Sequence, residues 1–221
     1  MSECISELPS NCIFNKGITG SGGTTLELKS NRNSIICVPN ISLVLNKQSK
    51  DVFGVYGKTS NGDIKDYLNS DTKYKKFIVV YDSLPRLIDI IGELVYNDYF
   101  LLIDEYHILF NSYVFRNKAV RNILSSFRFF KNFCFMTATP LEEEFLLEEL
   151  KDIPVVEAVW NNITTVKVQS VRCKSKVKET VAQLIMNFKD GECKENAYFF
   201  VNSVGYITDL VKIQDPVAKF S

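Results

Sequence analysis

Short runs of apolar, β-branched and aromatic residues alternate along most of the chain with longer stretches in which apolar residues recur at helical spacing. The short runs predict six strands, at residues 12–15, 34–39, 52–57, 76–82, 99–105 and 132–140. The longer stretches predict helices at residues 24–30, 41–48, 84–95, 113–127 and 141–150. Strands that are apolar on both faces and alternate with helices are typical of a parallel sheet covered by helices. We therefore predict an α/β fold.

A second unit is predicted toward the end of the chain. Residues 153–165 carry a proline and an Asn-Asn pair, and this change of composition predicts a domain boundary. Beyond it, the pattern predicts strands at 165–173 and 197–203 and helices at 176–189 and 204–212. Two strands and two helices form a weak core on their own. We interpret residues 1–155 as one domain and residues 156–221 as the start of a second one.

Charge and cysteine usage narrow the class of protein. Lys+Arg and Asp+Glu both total 26, so the net charge is zero and only a local basic groove is left for binding nucleic acid. The basic runs at 73–76, 116–121 and 172–178 are interpreted as solvated surface, and a nucleic-acid contact is the alternative. The six cysteines form no C-x-x-C pair, which favours buried free thiols in a reducing compartment. The sequence shows no secretory pattern, and none of its apolar runs approaches the roughly 18 residues that a membrane helix needs. We therefore predict a cytoplasmic protein without membrane contact.

A glycine-rich segment follows the first predicted strand. Gly17-x4-Gly22-Gly23-Thr24 fits the phosphate-loop pattern G-x-x-x-x-G-K-[ST] at every defined position except the lysine, which is replaced by Gly23. Glycines let backbone N–H groups face phosphates, and Thr24 would hold Mg²⁺. The predicted nucleotide contacts are Lys16, Gly17, Thr19, Gly20, Ser21, Gly22, Gly23, Thr24 and Thr25. The alternative is a Gly/Ser/Thr surface turn that binds nothing.

Lys16 immediately precedes this loop, at the end of the first predicted strand. It could fold back toward the phosphates, or it could face solvent, as lysines at strand ends more often do. Substituting Gly23→Lys is expected to tighten nucleotide binding unless the loop needs the left-handed backbone of glycine at that position.

Acidic residues end the fifth predicted strand, where an α/β sheet presents its ligands. Asp104 would bind Mg²⁺ through water, and Glu105 would orient or deprotonate an attacking water. Alternatively, both carboxylates simply begin a helix. His107, the only histidine, is a candidate catalytic residue or a structural one.

Two threonines follow the sixth predicted strand. The hydroxyls of Thr137 and Thr139 could hydrogen-bond the acidic pair and sense a γ-phosphate. Thr139 is also a candidate helix N-cap, with Pro140 in the first helical position.

Taken together, these segments resemble the motifs of superfamily 2 helicases and translocases, the DEAD/DEAH-box relatives. The loop at 17–25 resembles their Walker A motif, residues 104–107 (DEYH) their DExH box, and residues 137–139 (TAT) their S/T-A-T motif. The segments VPN and YDSL lie where that family contacts nucleic acid, and FFVNS resembles the start of its second domain. The resemblance implies RecA-like P-loop domains, ATP and Mg²⁺ as cofactors, and a DNA or RNA partner. The residues it implies for nucleic-acid contact are Pro39, Asn40, Ser83 and Asn202.

Two departures from the family pattern keep more than one function open. Gly23 replaces the Walker lysine, and the chain ends before the arginine-bearing motif with which the second domain completes the ATP site. No glutamine-centred adenine motif precedes the loop, because the first glutamine is Gln48. Our first hypothesis is the ATP-binding core of a helicase-like, nucleic-acid-dependent ATPase with little activity alone. The second is a non-catalytic nucleotide- or nucleic-acid-binding module, and the third is an α/β protein without a phosphate ligand.

Overall fold

A computed structural model describes residues 1, 4–111, 113–161, 177–189, 205 and 207–209. The strands are β1 (Cys12–Asn15), β2 (Asn33–Val38), β3 (Val52–Val55), β4 (Lys76–Val80), β5 (Tyr99–Asp104), β6 (Asn132–Thr137) and β7 (Val155–Glu157). The α-helices are α1 (Gly23–Lys29), α2 (Ile41–Lys47), α3 (Asn61–Leu68), α4 (Leu84–Ile91), α5 (Val95–Asp98), α6 (His107–Asn111), α7 (Tyr113–Ser126) and α8 (Val177–Lys189).

The strands form a single sheet in the order β3-β4-β2-β5-β6-β1-β7, and every described pairing between these strands is parallel. The predicted α/β fold with a parallel sheet is therefore confirmed, and the arrangement is consistent with a RecA-like domain. The six predicted strands are all present, within a few residues of their predicted ends. Because the strands are parallel, their carboxyl ends lie along one edge of the sheet.

Alternate residues of the strands β1 to β6 enter separate hydrophobic cores. Ile35 and Cys37 of β2 belong to one core, which also holds side chains of α3, α4 and α7. Ile36 and Val38 belong to the other, which includes Leu26 of α1 and Val44 of α2. This explains why the strands read as continuous apolar runs, because both faces of the sheet are covered. None of the helices that the structure describes is long and apolar enough to cross a bilayer.

Several elements differ from the sequence-based expectation. The helix predicted at 84–95 stops at Gly92, whose φ of 83° ends α4, and α5 follows. The helix predicted at 141–150 is wrong: two 3₁₀ turns, Glu143–Phe145 and Glu148–Leu150, flank extended residues. Thr139 is therefore not a helix N-cap. The helices α3 and α6 and the strand β7 were not predicted.

The chain divides into two compact units, Met1–Ile163 and Thr164–Ser221. A boundary between residues 155 and 156 would cut β7, which pairs with β1 in the first unit. In the second unit, α8 lies within the helix predicted at 176–189. The strands predicted at 165–173 and 197–203, together with Asn202, lie outside the described residues.

A buried ionic network anchors the helix that begins in the glycine-rich loop. The Glu27 side chain of α1 is fully buried and accepts hydrogen bonds from Arg32 and from the hydroxyls of Ser30 and Ser34. The Lys76 ammonium donates to the Glu27 carbonyl and to both serine hydroxyls, at 2.7–2.9 Å. Burial lowers the pKa of Lys76 to about 8, against the opposing effect of Glu27. The interpretation of Lys76 as part of a solvated basic run is thus wrong, because its side chain holds α1 against β2 and β4.

Candidate functional site

The candidate site lies at the carboxyl ends of β5, β6 and β1, which are neighbours in the sheet. Asp104 at the end of β5 is paired with Met136 of β6, and Thr137 of β6 is paired with Asn15 of β1. The acidic pair (Asp104 and Glu105), the threonine motif and the glycine-rich loop therefore meet at one edge. The sequence places these segments far apart, and the strand order brings them together.

The loop threonine contacts the acidic pair directly. Thr24 in the first turn of α1 donates a hydrogen bond of 2.6 Å from its Oγ1 to Oδ2 of Asp104. Asp104 is 6% exposed, and burial raises its pKa although Lys16 and the Thr24 hydroxyl act in the opposite direction. The two residues predicted to hold Mg²⁺ are thus already in contact.

Lys16 points into the site rather than into solvent. The residue is 5% exposed, and its Nζ lies 2.6 Å from Oε1 of Glu105 and 3.6 Å from Oδ1 of Asp104. Its backbone is fixed on both sides, because its N–H donates to the Thr137 carbonyl and its own carbonyl accepts a bond from Nε1 of Trp160, both at 2.8 Å. The solvent-facing alternative is therefore wrong for this structure.

Glu105 adopts an uncommon backbone conformation. Its φ is 53°, one of two positive values among the described non-glycine residues. Such a conformation costs on the order of 1–3 kcal/mol and persists only where neighbours enforce it. The buried Tyr81 hydroxyl donates to the Asp104 carbonyl at 2.6 Å and lies 3.3 Å from the Glu105 carbonyl. Tyr81, which the sequence offered only as part of a nucleic-acid segment, thus holds the turn that carries Glu105.

His107 connects the acidic pair to the threonine motif. Its Nδ1 lies 2.7 Å from Oγ1 of Thr137 and 3.4 Å from Oε2 of Glu105. Thr137 is buried, and its Oγ1 accepts a hydrogen bond from the Thr139 backbone N–H. Thr139 is exposed, and it contacts Oγ1 of Thr137 through its own backbone N–H and carbonyl groups. Of the two threonines, Thr137 is therefore the one that the structure brings to Glu105.

The loop glycines are required for different reasons. Gly17 has a φ of 75°, and a Cβ there would meet the Ala158 carbonyl and the Trp160 ring at 2.9 Å. Gly20 and Gly22 also have positive φ values. Gly23 does not, but a Cβ added to it would lie 2.5 Å from Sδ of Met136. Met136 of β6 thus fills the space in which a side chain at position 23 would begin.

Two polar atoms in the site have no hydrogen-bond partner. Among the described residues, Oγ of Ser21 and Oδ1 of Asp104 are the buried side-chain oxygens or nitrogens that lack one. Leaving such atoms unpaired costs about 1–3 kcal/mol each, so natural structures rarely keep them without a ligand or a water. One of the two lies in the glycine-rich loop and the other in the acidic pair.

The carboxylate of Asp104 is suited to holding a magnesium ion. Mg²⁺ is usually held by one or two carboxylates together with waters and substrate phosphates. The described part of the chain contains no group of three or more His, Cys, Asp and Glu residues that could hold a metal by itself. Thr24 and Asp104 are the residues at this edge of the sheet that could hold such an ion.

A mostly apolar cavity of about 320 Å³ lies beside the loop. Its lining includes Met1, Phe14, Val156 and the only tryptophan, Trp160. The cavity adjoins the loop on two sides, because Trp160 is close to Gly17 and the Met1 sulfur is close to Gly23. No sequence pattern pointed to this cavity, since β7 and Trp160 lie in the segment that was interpreted as a domain boundary.

The residues predicted to contact nucleic acid are not equally accessible. Asn40 is exposed, but its side chain caps α2 by accepting a hydrogen bond from the Leu43 N–H. Pro39 is buried, and Ser83 is 8% exposed in the 3₁₀ turn before α4. These assignments stay predictions.

Comparison with known proteins gives little beyond the fold. No family model and no curated protein matches this chain. Among solved structures it is similar to the crystal structure of the Pyrococcus furiosus Hef helicase domain, with 14% sequence identity and a TM-score of 0.47. The match covers 94% of this chain and 50% of that one, so this chain spans half the length of its neighbour. Function is therefore inferred from the distances and burial described above.

Proposed function

We propose that this chain carries the Mg²⁺–ATP site of a helicase-like, nucleic-acid-dependent ATPase. The observation that carries the proposal is a pair of buried oxygens that accept no hydrogen bond, Ser21 Oγ in the loop and Asp104 Oδ1, which has only the Lys16 ion pair at 3.6 Å. A phosphate and its metal ion are the ligands expected at those two places. The direct bond between Thr24 and Asp104 supports the proposal, because it joins the two residues that would share the metal.

The different environments of Asp104 and Glu105 suit the two carboxylates to different roles. Asp104 is buried and bonded to Thr24, which suits a ligand that contacts the metal directly or through water. Glu105 is more exposed and bonds Lys16 and His107 through its two oxygens. A carboxylate in that position is suited to orienting an attacking water. Bound Mg²⁺ would neutralise part of the negative charge that builds up on the phosphates.

The apolar cavity supports a site for the nucleotide base. It lies next to the loop, and its walls of Met1, Phe14 and Trp160 offer the apolar and aromatic surface on which a base packs.

None of the arginine side chains that the structure describes contacts Asp104 or Glu105. The cationic group that completes such sites would come from the remainder of a second RecA-like domain, the partner that this proposal requires.

One observation favours a second candidate function. Met136 occupies the space in which a side chain at position 23 would begin, so the site differs from an ordinary phosphate loop by more than one substitution. A site altered in this way suits a non-catalytic module that binds nucleotide or nucleic acid for regulation. Turnover distinguishes the two functions, because the module binds Mg²⁺–ATP without hydrolysing it.

The test uses titration calorimetry with ATP in the presence and absence of Mg²⁺. The parent should bind Mg²⁺–ATP, and the Asp104→Asn variant should lose the Mg²⁺-dependent part of the affinity. The matched control is Asp89→Asn, an exposed carboxylate on α4 that should leave binding unchanged. The absence of nucleotide binding by the parent would reject the ATPase and the nucleotide-binding module, and would leave a module that binds only nucleic acid or an α/β protein without a phosphate ligand.

A further inference from the structure

We propose that Lys16 supplies, from the end of β1, the positive charge that the phosphate-loop pattern places at position 23. Its ammonium would pair with the terminal phosphates of a bound nucleoside triphosphate. This inference rests on the proposed nucleotide site, and it adds a phosphate-binding residue from outside the loop pattern.

A side chain at position 23 would have to displace Met136. A Cβ there would lie 2.5 Å from Sδ and 3.0 Å from Cε of Met136, where ordinary contacts are 3.4–4 Å. Met136 is fully buried in β6, so its side chain has little room to retreat. The charge of the pattern is therefore missing from its usual place for a packing reason.

Lys16 reaches the same carboxylate as the metal-site threonine. Thr24 bonds Oδ2 of Asp104, and the Lys16 ammonium lies 3.6 Å from Oδ1 of that group. The ammonium is thus on the far side of one carboxylate from the hydroxyl that would share the metal. The phosphates of a metal-bound nucleotide would have to lie within reach of both groups.

Burying this lysine has a cost that its partners must offset. An ammonium with 5% exposure is expensive unless it is paired, and Lys16 pairs with both members of the acidic pair. Its backbone is held by bonds to Thr137 and Trp160, which lie 121 and 144 residues further along the chain. A lysine that only neutralised surface charge would not need such positioning.

A different role would be that Lys16 occupies the place of the metal as a permanent internal counter-ion. Removing it would then open the metal site and tighten the binding of Mg²⁺ and ATP. The phosphate-binding role predicts weaker ATP binding instead. The two roles therefore give opposite signs for the same substitution.

The experiment is titration calorimetry with ATP, ADP and AMP, each with Mg²⁺, on the parent and on Lys16→Met and Lys16→Arg. Lys16→Met should weaken ATP binding about 10- to 100-fold, the range of one charge-assisted hydrogen bond. The loss should be smaller for ADP and near zero for AMP, and Lys16→Arg should keep part of the preference for ATP. The control is Lys58→Met, an exposed lysine in the loop after β3, which should change none of the three affinities.

Lys16→Met leaves Glu105 without its partner, so the same substitution is also made in a Glu105→Gln background. In that background no carboxylate at position 105 loses an ion pair, and Lys16→Met should still remove the preference for ATP over AMP. Equal loss for ATP and AMP, or tighter ATP binding, would overturn the inference while the nucleotide site stands. A parent that binds none of the three nucleotides would overturn the nucleotide site and the inference with it.

Discussion

Adding a single methyl group at position 23 tests whether Met136 closes the loop to side chains. In Gly23→Ala the new Cβ would lie 2.5 Å from Sδ of Met136, whereas an ordinary contact is at least 3.4 Å. The sulfur must therefore move by about 1 Å inside a fully buried side chain, and overpacking of this kind costs about 1–3 kcal/mol. Replacing glycine by alanine in a helix gains up to about 1 kcal/mol, so the net effect is a destabilisation between zero and about 3 kcal/mol.

The clash is isolated by a double-mutant cycle measured by urea unfolding. Met136→Ala alone should cost about 2–5 kcal/mol, because it removes a buried side chain. In that background Gly23→Ala should be neutral or stabilising, so the coupling between the two positions should be about 1–3 kcal/mol. The control is Gly62→Ala in the first turn of α3, where a Cβ meets nothing closer than Oγ of Ser60 at 3.6 Å.

Equal effects of Gly23→Ala in the two backgrounds would refute the proposed clash with Met136. The clash also changes the expectation that Gly23→Lys tightens nucleotide binding. The obstacle at Gly23 is the side chain of Met136 and not a left-handed backbone, since the φ of Gly23 is not positive. Gly23→Lys should therefore leave ATP affinity unimproved unless Met136 is shortened in the same protein.

Three further predictions concern turnover, the acidic pair and the buried lysine network. ATP turnover by this chain alone should be very slow, because none of the arginine side chains that the structure describes contacts Asp104 or Glu105 and an arginine at such a site is worth roughly 10³–10⁵ in rate; robust nucleic-acid-stimulated turnover would contradict this. In a longer protein that includes a complete second domain, Glu105→Gln should abolish turnover and leave Mg²⁺–ATP binding nearly intact, whereas Asp104→Asn should weaken binding; identical effects on binding would show that the roles are misassigned. The pKa of Lys76 is about 8 in the folded protein, against an ordinary 10.5. Between pH 8 and pH 10.5, Lys76 therefore binds a proton more fully in the unfolded chain than in the folded one. Stability of the parent relative to Lys76→Met should thus rise with pH across that window, by at most about 3 kcal/mol in urea unfolding, and a fall would contradict the assignment.

The sheet could be predicted because its signal is local. Each strand is a short apolar run whose two faces enter the two cores, so the run itself marks the strand. The acidic helix predicted at 141–150 failed for a non-local reason. Leu150 is buried in the core and Leu146 and Leu147 pack against it, so these leucines are fixed by tertiary contacts in 3₁₀ turns and extended backbone.

The position of the candidate site could be predicted, but the direction of its key lysine could not. Asp104 and Thr24 follow recognisable patterns at a strand end and a helix start, and the strand order alone brings them close. The backbone carbonyl of Lys16 is held by Trp160, and β1 pairs with β7, but the sequence pattern predicted only a domain boundary in that segment. No local pattern reports a bond between residues 144 positions apart.

Under the proposed role of Lys16, nucleotide binding and the state of Glu105 are linked. The ammonium is paired with Glu105 at 2.6 Å, so under this proposal a bound phosphate competes with that carboxylate for the ammonium. Affinity for ATP is then set by the exchange of one anion for another, which favours a modest value. The same exchange releases an oxygen of Glu105 while His107 and Thr137 remain beside the other oxygen. The residue suited to orient water is thereby freed when the triphosphate arrives, so an active enzyme and an inert module differ in whether that exchange takes place.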